Sequence, residues 1–264
     1  MGQGRVADSP RIRGHRRINS NLKRRLKDQW VDAVEDWIGQ DQSVRTDMLD
    51  SWMLNAIGDL VDRRVIDIGC GEGRFCRLLA SLGAETTGVD LTEGLIEEAL
   101  QRASGGETYL VGNAEDLADI DDESFDIAVS YIVLVDLDDY RASITAAWRV
   151  LKPGGRFIVC NIHPMRTASS NFTGWIRDYE RKLFYPLDNY TEEGPREFHW
   201  WGKTFINMHR TLSSYIMAFL DAGFLLEGLH EPTPSKEQLA ENPHFDDEFR
   251  APNFIIYELR KPAN

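Results

Sequence analysis

The stretch from Val65 to Arg74, VIDIGCGEGR, most constrains what this chain can fold into. Its first four residues are apolar or β-branched apart from one aspartate, which is typical of a buried parallel strand. Gly69, Gly71 and Gly73 follow, and glycine tolerates positive φ and lets a ligand approach the backbone without meeting a Cβ. An apolar helical pattern then begins at Phe75. A strand, a glycine turn and a helix N-terminus together predict a polar-ligand site at the carboxyl edge of a sheet.

A second strand that ends in an acid indicates that this ligand is a nucleoside. The segment Thr86–Val89 leads to Asp90, whose carboxylate can accept hydrogen bonds from both hydroxyls of a ribose. The glycine spacing is G-x-G-x-G, whereas the dinucleotide fingerprint that binds a pyrophosphate is G-x-G-x-x-G. Asp67 lies two residues before the first glycine and Glu72 lies inside the loop, and acids there would repel a pyrophosphate but suit an ammonium and a sulfonium.

At these residues the chain resembles the class I S-adenosylmethionine-dependent methyltransferases. Their first motif is similar to Asp67–Gly73, and their second acid is similar to Asp90. Another signature of the family is similar to Trp148–Ile158, WRVLKPGGRFI, in which Pro153 ends a helix and two glycines allow a reversal into a buried strand. The resemblance covers residues 60–162 and implies S-adenosylmethionine as cofactor and S-adenosylhomocysteine as product.

The alternation of strand and helix patterns predicts an α/β fold with a doubly wound, mostly parallel sheet. The resemblance implies the seven-stranded, Rossmann-like methyltransferase form of this sheet, closed by an antiparallel C-terminal hairpin. The strands are predicted at 64–68, 85–89, 107–111, 125–131, 155–162, 224–229 and 254–259. Helices are predicted at 74–82, 93–103 and 139–151, and at 211–222 before Gly223.

Three regions are expected along the chain. Residues 1–20 are predicted to be a disordered basic arm, residues 21–58 to form N-terminal helices and residues 59–264 to form the methyltransferase domain. Apolar residues recur at helical spacing from Leu22 to Ile38 and stop before Gly39, and a second helix is expected over 46–57. In the resembled family such helices often cover the cofactor, although a simple packing helix explains the pattern equally well.

The strand–helix alternation breaks at residues 163–210, and this insert after the fifth strand is predicted to be an aromatic-rich lid. Aromatic side chains suit a pocket for an organic substrate, but a small core under a long loop would also use them. The aromatic residues of the insert are Phe172, Trp175, Tyr179, Phe184, Tyr185, Tyr190, Phe198, Trp200, Trp201 and Phe205.

The predicted cofactor site uses residues at the ends of successive strands. Asn113 stands where the family commonly has aspartate, and its amide oxygen can accept from the adenine amino group. Alternatively, Ala114 supplies a backbone amide and Glu115 only caps the next turn. The family often contacts the methionine end with residues similar to Ser130, Tyr131 and Ile132, and Tyr131 is also a candidate substrate contact. The predicted cofactor contacts are Asp67, Gly69, Cys70, Gly71, Gly73, Asp90, Leu91, Asn113, Ala114, Glu115, Ser130 and Tyr131.

Histidines are the candidate proton acceptors, because an oxygen or nitrogen that accepts a methyl group must lose a proton and histidine titrates in the useful range. His163, just past the fifth strand, ranks first, His209 second and His199 third, with a hydrogen-bonded structural role as the alternative for each. Arg166 and Arg210 are weaker candidates for binding an anionic substrate group.

Acidic residues after the fourth strand raise the question of a metal ion. Asp136, Asp138 and Asp139 follow one another closely, as in metal-dependent members of the family. Carboxylates in the first turn of a helix are more often caps that favour the helix dipole. No metal site is therefore predicted.

Charge and composition narrow the classes of partner. The formal net charge of −13 disfavours nucleic acid, because phosphate contacts require a basic face. Residues 1–27 nevertheless carry nine basic residues against one acid, which suits either an anionic-partner tail or a disordered terminus. No run approaches the ~20 apolar residues that span a bilayer. The three cysteines favour reduced thiols, and the expected location is the cytoplasm.

The sequence thus predicts methylation of an oxygen or nitrogen on a small molecule, with a subfamily resemblance to ubiquinone- and antibiotic-type methyltransferases near His209–Tyr215 and Arg250–Tyr257. A nicotinamide oxidoreductase is disfavoured by the glycine spacing. A tRNA or protein methyltransferase that uses the basic arm is a second possibility, and a non-catalytic cofactor-binding subunit is a third. The oligomeric state is not predicted.

Overall fold

The computed structural model describes residues 20–40, 42–169 and 174–263. The predicted basic arm, apart from Ser20, and the insert residue Phe172 lie outside these ranges, so the expectations for them are not tested. No helix within the described ranges is long and apolar enough to cross a membrane.

A seven-stranded sheet forms the centre of the molecule. The strands along the chain are β1 (Arg64–Ile68), β2 (Glu85–Asp90), β3 (Glu107–Val111), β4 (Phe125–Tyr131), β5 (Leu151–Ile162), β6 (Ile176–Asp178), β7 (Arg181–Phe184), β8 (Gly194–Trp200), β9 (Lys203–His209), β10 (Leu225–His230) and β11 (Phe254–Arg260). Their order in the central sheet is β10-β11-β5-β4-β1-β2-β3. Strands β1 to β5 pair in parallel, and β11 runs antiparallel to both β5 and β10. The predicted fold class is confirmed.

Helices cover both faces of this sheet. They are α1 (Ser20–Val31), α2 (Val34–Ile38), α3 (Asp50–Ile57), α4 (Arg74–Ser81), α5 (Glu93–Gln101), α6 (Tyr140–Val150), α7 (Pro164–Thr167), α8 (Leu212–Asp221) and α9 (Lys236–Glu241). Alternate residues of β1 enter two different cores, because successive side chains of a strand point to opposite faces. Ile66 packs in the core that contains α6 and α8, and Val65 packs in the core that contains α3 and α4. The sheet is therefore doubly wound.

The strand order reverses at β1, because β2 and β3 lie on one side of it and β4 and β5 on the other. In an open parallel sheet the crevice for a ligand lies at such a reversal, beyond the carboxyl ends of the strands. The glycine turn follows β1 directly, so the fold places it at this crevice.

Four local expectations need correction. The helix predicted from Leu22 to Ile38 is two helices, because α1 ends at Val31 and α2 begins at Val34. The helix expected over 46–57 begins as a π-helix, Val44–Leu49, and continues as α3. Strand β5 starts at Leu151 rather than at 155, and the helix predicted over 93–103 ends at Gln101. The β10–β11 connection, for which no element was predicted, contains α9 and a 3₁₀ helix, Pro243–Phe249.

The insert has regular structure that the sequence patterns did not predict. It contains the short helix α7 and two antiparallel hairpins, β6–β7 and β8–β9. The second hairpin packs against α1 through the apolar cluster of Leu26, Ile206 and Met208.

Candidate functional site

The glycine turn after β1 is a close-packed backbone loop. Gly69 has φ +80°, and a Cβ at this position would lie 2.5 Å from Cγ2 of Val133. The amides of Gly69 and Cys70 donate to the carbonyl oxygen of Val89, at 2.7 and 3.1 Å. Gly71 has φ +56°, and its Cβ would lie 3.3 Å from Nε1 of Trp37. Glycine is thus required both by the left-handed backbone and by the space that the loop leaves.

Asp90 joins this turn to the end of β2. One carboxylate oxygen accepts from the backbone amide of Gly71 at 3.0 Å, and the other accepts from that of Thr92 at 2.8 Å. Burial raises the pKa of Asp90, and these two hydrogen bonds oppose the increase. Each carboxylate oxygen can accept a further hydrogen bond, so the pair remains suited to the two hydroxyls of a ribose.

A cavity of about 630 Å³ opens over the turn. Pockets of 300–1,000 Å³ are usual for small-molecule and cofactor sites. Ten of the twelve predicted cofactor contacts line it: Asp67, Gly69, Cys70, Gly71, Asp90, Leu91, Asn113, Ala114, Glu115 and Tyr131. Gly73 and Ser130 do not, so contact between these two residues and the cofactor stays a prediction. Gly73 serves packing, because a Cβ there would lie 2.6 Å from the ring of Tyr109.

Asp67 is a buried carboxylate beside the glycine turn. Burial raises its pKa to about 7, and the Sγ atom of Cys76 donates to its Oδ2 at 3.6 Å. Its Oδ1 is buried and has no hydrogen-bond partner among the described residues. An unpaired carboxylate oxygen in a buried site is costly unless a ligand cation satisfies it.

The loop after β3 does not use all its side chains as predicted. The Asn113 oxygen accepts from the backbone amide of Glu115 at 3.0 Å, so this side chain already serves a local turn. Glu115 accepts from the amide of Asp139 at 3.0 Å and pairs with Lys23 of α1. It therefore connects separate elements rather than capping its own turn. This geometry favours the alternative in which the backbone of Ala114 contacts the adenine.

Tyr131 lies at the carboxyl end of β4 and lines the cavity. Its hydroxyl donates to Asp50 at 3.1 Å, and Arg74 binds the same carboxylate with two nitrogens, at 2.6 and 3.0 Å. Burial raises the pKa of Tyr131, so the phenol stays neutral. The ring can contact a ligand, but its hydroxyl is held by Asp50.

None of the three candidate histidines lines the cavity. His163 caps α7 by accepting from the amide of Met165 at 3.1 Å, and its other ring nitrogen lies 3.1 Å from a carboxylate oxygen of Glu231. His209 bonds to the carbonyl oxygen of Tyr190 at 2.8 Å and to Thr167 at 2.7 Å.

These histidines have the hydrogen-bonded surroundings of structural residues. Burial lowers the pKa of both His163 and His209, and His199 bonds to Thr204, at 3.2 Å, on the same hairpin. A histidine base stays a prediction that this geometry does not support.

The side chains of the two candidate arginines contact other parts of the protein. Arg210 donates to the carbonyl oxygens of Leu134, Leu137 and Asp138, and so holds the loop after β4. Arg166 is buried with its guanidinium 4.2 Å from the ring centre of Tyr185.

The acidic residues after β4 have separate roles. Asp139 accepts from the amide of Ala142 at 3.0 Å and so caps α6. Helix capping was the role predicted for these acids in place of metal binding. Asp136 lines the cavity and accepts from Nδ2 of Asn207 at 2.8 Å, and burial raises its pKa to about 8. Among the described residues no cluster of three metal-binding side chains occurs.

Residues of the N-terminal segment line the cavity, but the sequence patterns did not identify which of its residues do so. Leu26, Trp30 and Trp37 come from α1 and α2, and Arg45 comes from the π-helix. The helical spacing of the tryptophans was visible, but it did not show which face meets the cavity. Nothing in the local sequence distinguishes Arg45 from a surface arginine.

Comparisons with known proteins agree with this geometry. A family described as "Methyltransferase domain" matches residues 66–159. The structure of a protein from Listeria monocytogenes, provisionally assigned as an S-adenosylmethionine-dependent methyltransferase, is 30% identical and superposes with a TM-score of 0.72, covering 80% of this chain and 95% of that one. An S-adenosylmethionine-dependent methyltransferase from Mesorhizobium loti is 29% identical with a TM-score of 0.73, covering 80% of this chain and 96% of that one.

A curated relative has a named reaction. The ubiquinone biosynthesis O-methyltransferase of Alkalilimnicola ehrlichii is 31% identical over 115 residues, 42% of this chain and 47% of that protein. The match thus spans about half of that relative. Together with the cavity at the reversal of the sheet, these similarities show that the chain belongs to the class I S-adenosylmethionine-dependent methyltransferases, enzymes that use S-adenosylmethionine and release S-adenosylhomocysteine.

Proposed function

We propose that this enzyme transfers a methyl group to an oxygen or nitrogen of a small organic molecule. The observation that carries the proposal is the shape of the cavity. Its polar floor suits a nucleoside, and Trp30 and Trp37 of the N-terminal helices cover the rest of it. A space of about 630 Å³ under such a cover suits a cofactor with a small acceptor better than a segment of RNA or protein.

The cofactor would be held along the strand ends. Asp90 would bind the ribose, and Leu91 with the backbone of Ala114 would contact the adenine. Asp67 and the glycine turn would bind the methionine part, so that the sulfonium lies toward the end of β4. S-Adenosylmethionine supplies an activated methyl group when it is bound there.

The protein's contribution to the reaction is mainly alignment and exclusion of water. Displacement at a sulfonium already has a good leaving group, and correct placement of two reactants can contribute up to roughly 7–11 kcal/mol. The acceptor must also lose a proton. Asp136 lines the cavity, and burial raises its pKa to about 8. Its ionised form, which predominates above that pH, is a stronger base than an ordinary aspartate, so we propose it in preference to the histidines.

The named relatives suggest which acceptors to test first. Besides the ubiquinone biosynthesis enzyme, a demethylmenaquinone methyltransferase from Clavibacter sepedonicus is 32% identical over 107 residues, 43% of its length. Hydroxylated quinols and phenols are therefore the first acceptor class. Location in the cytoplasm stays a prediction.

Calorimetric titration with S-adenosylmethionine followed by turnover on these acceptors tests the proposal. We expect binding that Asp90→Ala weakens by roughly 100-fold, since two charge-assisted hydrogen bonds are lost. We expect mass spectrometry to detect a quinol or phenol that is methylated at a hydroxyl oxygen. Cofactor binding without turnover on any member of the panel would favour the non-catalytic subunit, and fluorescence detection of NADH binding would favour the oxidoreductase.

Truncation tests the alternative of a tRNA or protein substrate. The deletion should end at residue 19, because Lys23, Arg24 and Lys27 of α1 line the cavity. We expect the truncated enzyme to keep its small-molecule activity. Loss of binding to tRNA with unchanged cofactor affinity would support the alternative.

A further inference from the structure

Asn207 of β9 is a buried amide that contacts an acid of the cavity. Its Nδ2 atom donates to Oδ1 of Asp136 at 2.8 Å, across 71 positions of the chain. The residues around it in β9, Phe205, Ile206 and Met208, are buried and apolar. The Oδ1 atom of Asn207 is buried and has no hydrogen-bond partner among the described residues. Because an unpaired buried amide oxygen is costly, packing alone would favour an apolar side chain at this position.

The same end of β9 fixes the backbone of the loop that carries Asp136. Arg210 follows β9 directly and donates to the carbonyl oxygen of Leu134 at 2.7 Å. It also donates to the carbonyl oxygens of Leu137 and Asp138, at 2.5 and 3.1 Å. The insert therefore holds both the main chain of this loop and the carboxylate that the loop presents to the cavity.

The hydrogen bond from Asn207 distinguishes the two oxygens of the Asp136 carboxylate. An amide N–H can only donate, so Oδ1 serves as its acceptor. Within the part of the chain that the structure describes, Oδ2 has no hydrogen-bond partner, and Asp136 lines the cavity. Oδ2 is therefore the oxygen that is available to take a proton from a bound acceptor.

The charged groups around Asp136 act in both directions. Burial raises the pKa of Asp136 to about 8, and the charge of Asp90 adds to the increase. The hydrogen bond from Asn207 opposes it, as do the positive charges of Arg45 and Arg210. Loss of the Asn207 amide should therefore raise this pKa further, because the ionised carboxylate loses a donor.

We propose that Asn207 is a positioning residue, which holds Oδ1 of Asp136 so that Oδ2 takes the proton of the methyl acceptor. The inference rests on the proposed role of Asp136 as proton acceptor. For a hydroxyl acceptor, the O–H bond breaks and its proton passes to Oδ2. The electron pair left on that oxygen forms the bond to the methyl carbon, and the leaving sulfur keeps the electrons of the broken carbon–sulfur bond.

The pH dependence of turnover on a quinol or phenol tests the role of Asn207. In the full-length protein, Asn207→Leu should keep its affinity for S-adenosylhomocysteine within about twofold, because Asn207 does not line the cavity. The rising limb of kcat against pH should move upward by about one to two pH units, the range for losing a hydrogen bond to an ionised group. As a result, kcat at pH 7 should fall by roughly 10- to 100-fold.

A carbon-13 NMR titration of the aspartate carboxyl groups gives a readout that needs no turnover. Comparison with Asp136→Asn identifies the Asp136 signal. In the complex with S-adenosylhomocysteine, the midpoint of this signal should move upward in Asn207→Leu by the same one to two pH units, roughly. Asn207→Ala, which is smaller but also lacks the donor, should shift it in the same direction and decides the question if Asn207→Leu does not fold.

Asn253→Leu is the matched control. The amide of Asn253 also donates to a buried carboxylate, that of Glu248, and neither residue lines the cavity. This variant should leave both the Asp136 titration and the rising limb of kcat in place.

Separate outcomes would overturn the positioning role and the base itself. An unchanged Asp136 titration in Asn207→Leu would refute the positioning role, and so would an equal loss of kcat at every pH together with weaker product binding. Full turnover with an unchanged pH profile in Asp136→Asn would instead refute the base on which the inference rests. A shifted titration without methylation of any acceptor would overturn the proton transfer together with the proposed function.

Discussion

The two walls of the cavity are built in different ways. The floor, which consists of the glycine turn at Gly69–Gly73 and the ends of β1, β2 and β4, is defined mainly by backbone. Parallel pairing fixes β1 between β2 and β4, and Val65, Ile66 and Ile68 are completely buried. The amides of the turn bond to Val89 and Asp90 on the adjacent strand. A floor made in this way has little freedom to rearrange.

The cover, which consists of α1 and α2, is held by side chains against the hairpin β8–β9. Gln29 of α1 both donates to the carbonyl oxygen of Ile206 at 3.2 Å and accepts from its amide at 2.8 Å. Trp37 packs edge-on against Trp30 at 5.2 Å and against Trp200 and Trp201 at 6.4 Å. Such contacts can separate without disturbing the sheet. We therefore expect the cover to open at a lower free energy than the floor unfolds, as local openings commonly do.

The largest expected effect is damage to the floor by Gly69→Ala. The new Cβ would lie 2.5 Å from Val133 at a backbone angle of φ +80°, so overlap and strain add. Overpacking and an unfavourable backbone angle each cost about 1–3 kcal/mol. We expect the free energy of unfolding to fall by about 2–5 kcal/mol in urea denaturation, with loss of measurable binding of S-adenosylhomocysteine.

Gly105→Ala is the matched control, because Gly105 has φ +105° but no atom within 4 Å of the added Cβ. Its free energy of unfolding should fall only by the cost of backbone strain, about 1 kcal/mol, and it should bind the product normally. Normal product binding by Gly69→Ala would contradict the view that the floor cannot adjust.

Trp37→Ala should loosen the cover and spare the floor. Removal of a buried tryptophan side chain typically destabilises the packed state by about 3–5 kcal/mol. In this protein we expect that loss to lower the free energy of opening α1 and α2. Hydrogen exchange of residues 20–38 should accelerate on the order of 100-fold, while exchange in β1 and β4 stays unchanged. Trp175→Ala, which removes a contact to Tyr185 in the insert, should leave α1 and α2 protected. Equal acceleration in β1 would show that floor and cover unfold together.

The charge of the floor predicts a pH effect of intermediate size. Burial raises the pKa of Asp67 to about 7, so the carboxyl group of the free protein becomes protonated as the pH falls through 7. A ligand ammonium binds the ionised form, and affinity for S-adenosylhomocysteine should therefore fall by up to about tenfold per pH unit below pH 7.

The same pKa difference affects stability in the opposite direction. The unfolded carboxyl titrates near pH 3.9, so the native state holds the extra proton and the free protein loses stability as pH rises from about 4 to 7. Asp67→Asn should remove this dependence of stability on pH. It should also remove the pH dependence of S-adenosylhomocysteine binding. Binding of 5′-methylthioadenosine, which lacks the ammonium, should not show that pH dependence even in the unmodified protein. A persistent slope in Asp67→Asn would assign the titration to Asp90 or Asp136.

The smallest expected effect comes from the ion pair between Lys23 of the cover and Glu115 beside the floor. The Lys23 side chain is 51% exposed, and pairs of this kind contribute less than about 1 kcal/mol and are screened by salt. Lys23→Met, which keeps most of the apolar stem, should change product affinity less than about fivefold at low salt and not at all in about 1 M salt. A loss above about tenfold would show that this pair, and not the tryptophans, holds the cover closed.

The sequence determined the floor because its signals are local. The glycines, the β-branched strands and Asp90 act within a few residues of themselves, and ten of twelve predicted cofactor contacts line the cavity. Local patterns could not separate Gly73, which makes room for Tyr109, from Gly69 and Gly71, which line the cavity.

The cover was decided by tertiary structure, because its contacts join residues far apart in the chain. Gln29 meets Ile206 across 177 positions, and the break between α1 and α2 lies where Lys203 of the hairpin donates to the carbonyl oxygen of Asp32 at 2.6 Å. The placement of Arg45 against the rings of Trp37 and Tyr131 likewise depends on contacts between separate elements. Helical spacing shows that a segment is amphipathic, but the surface against which it packs depends on the whole fold.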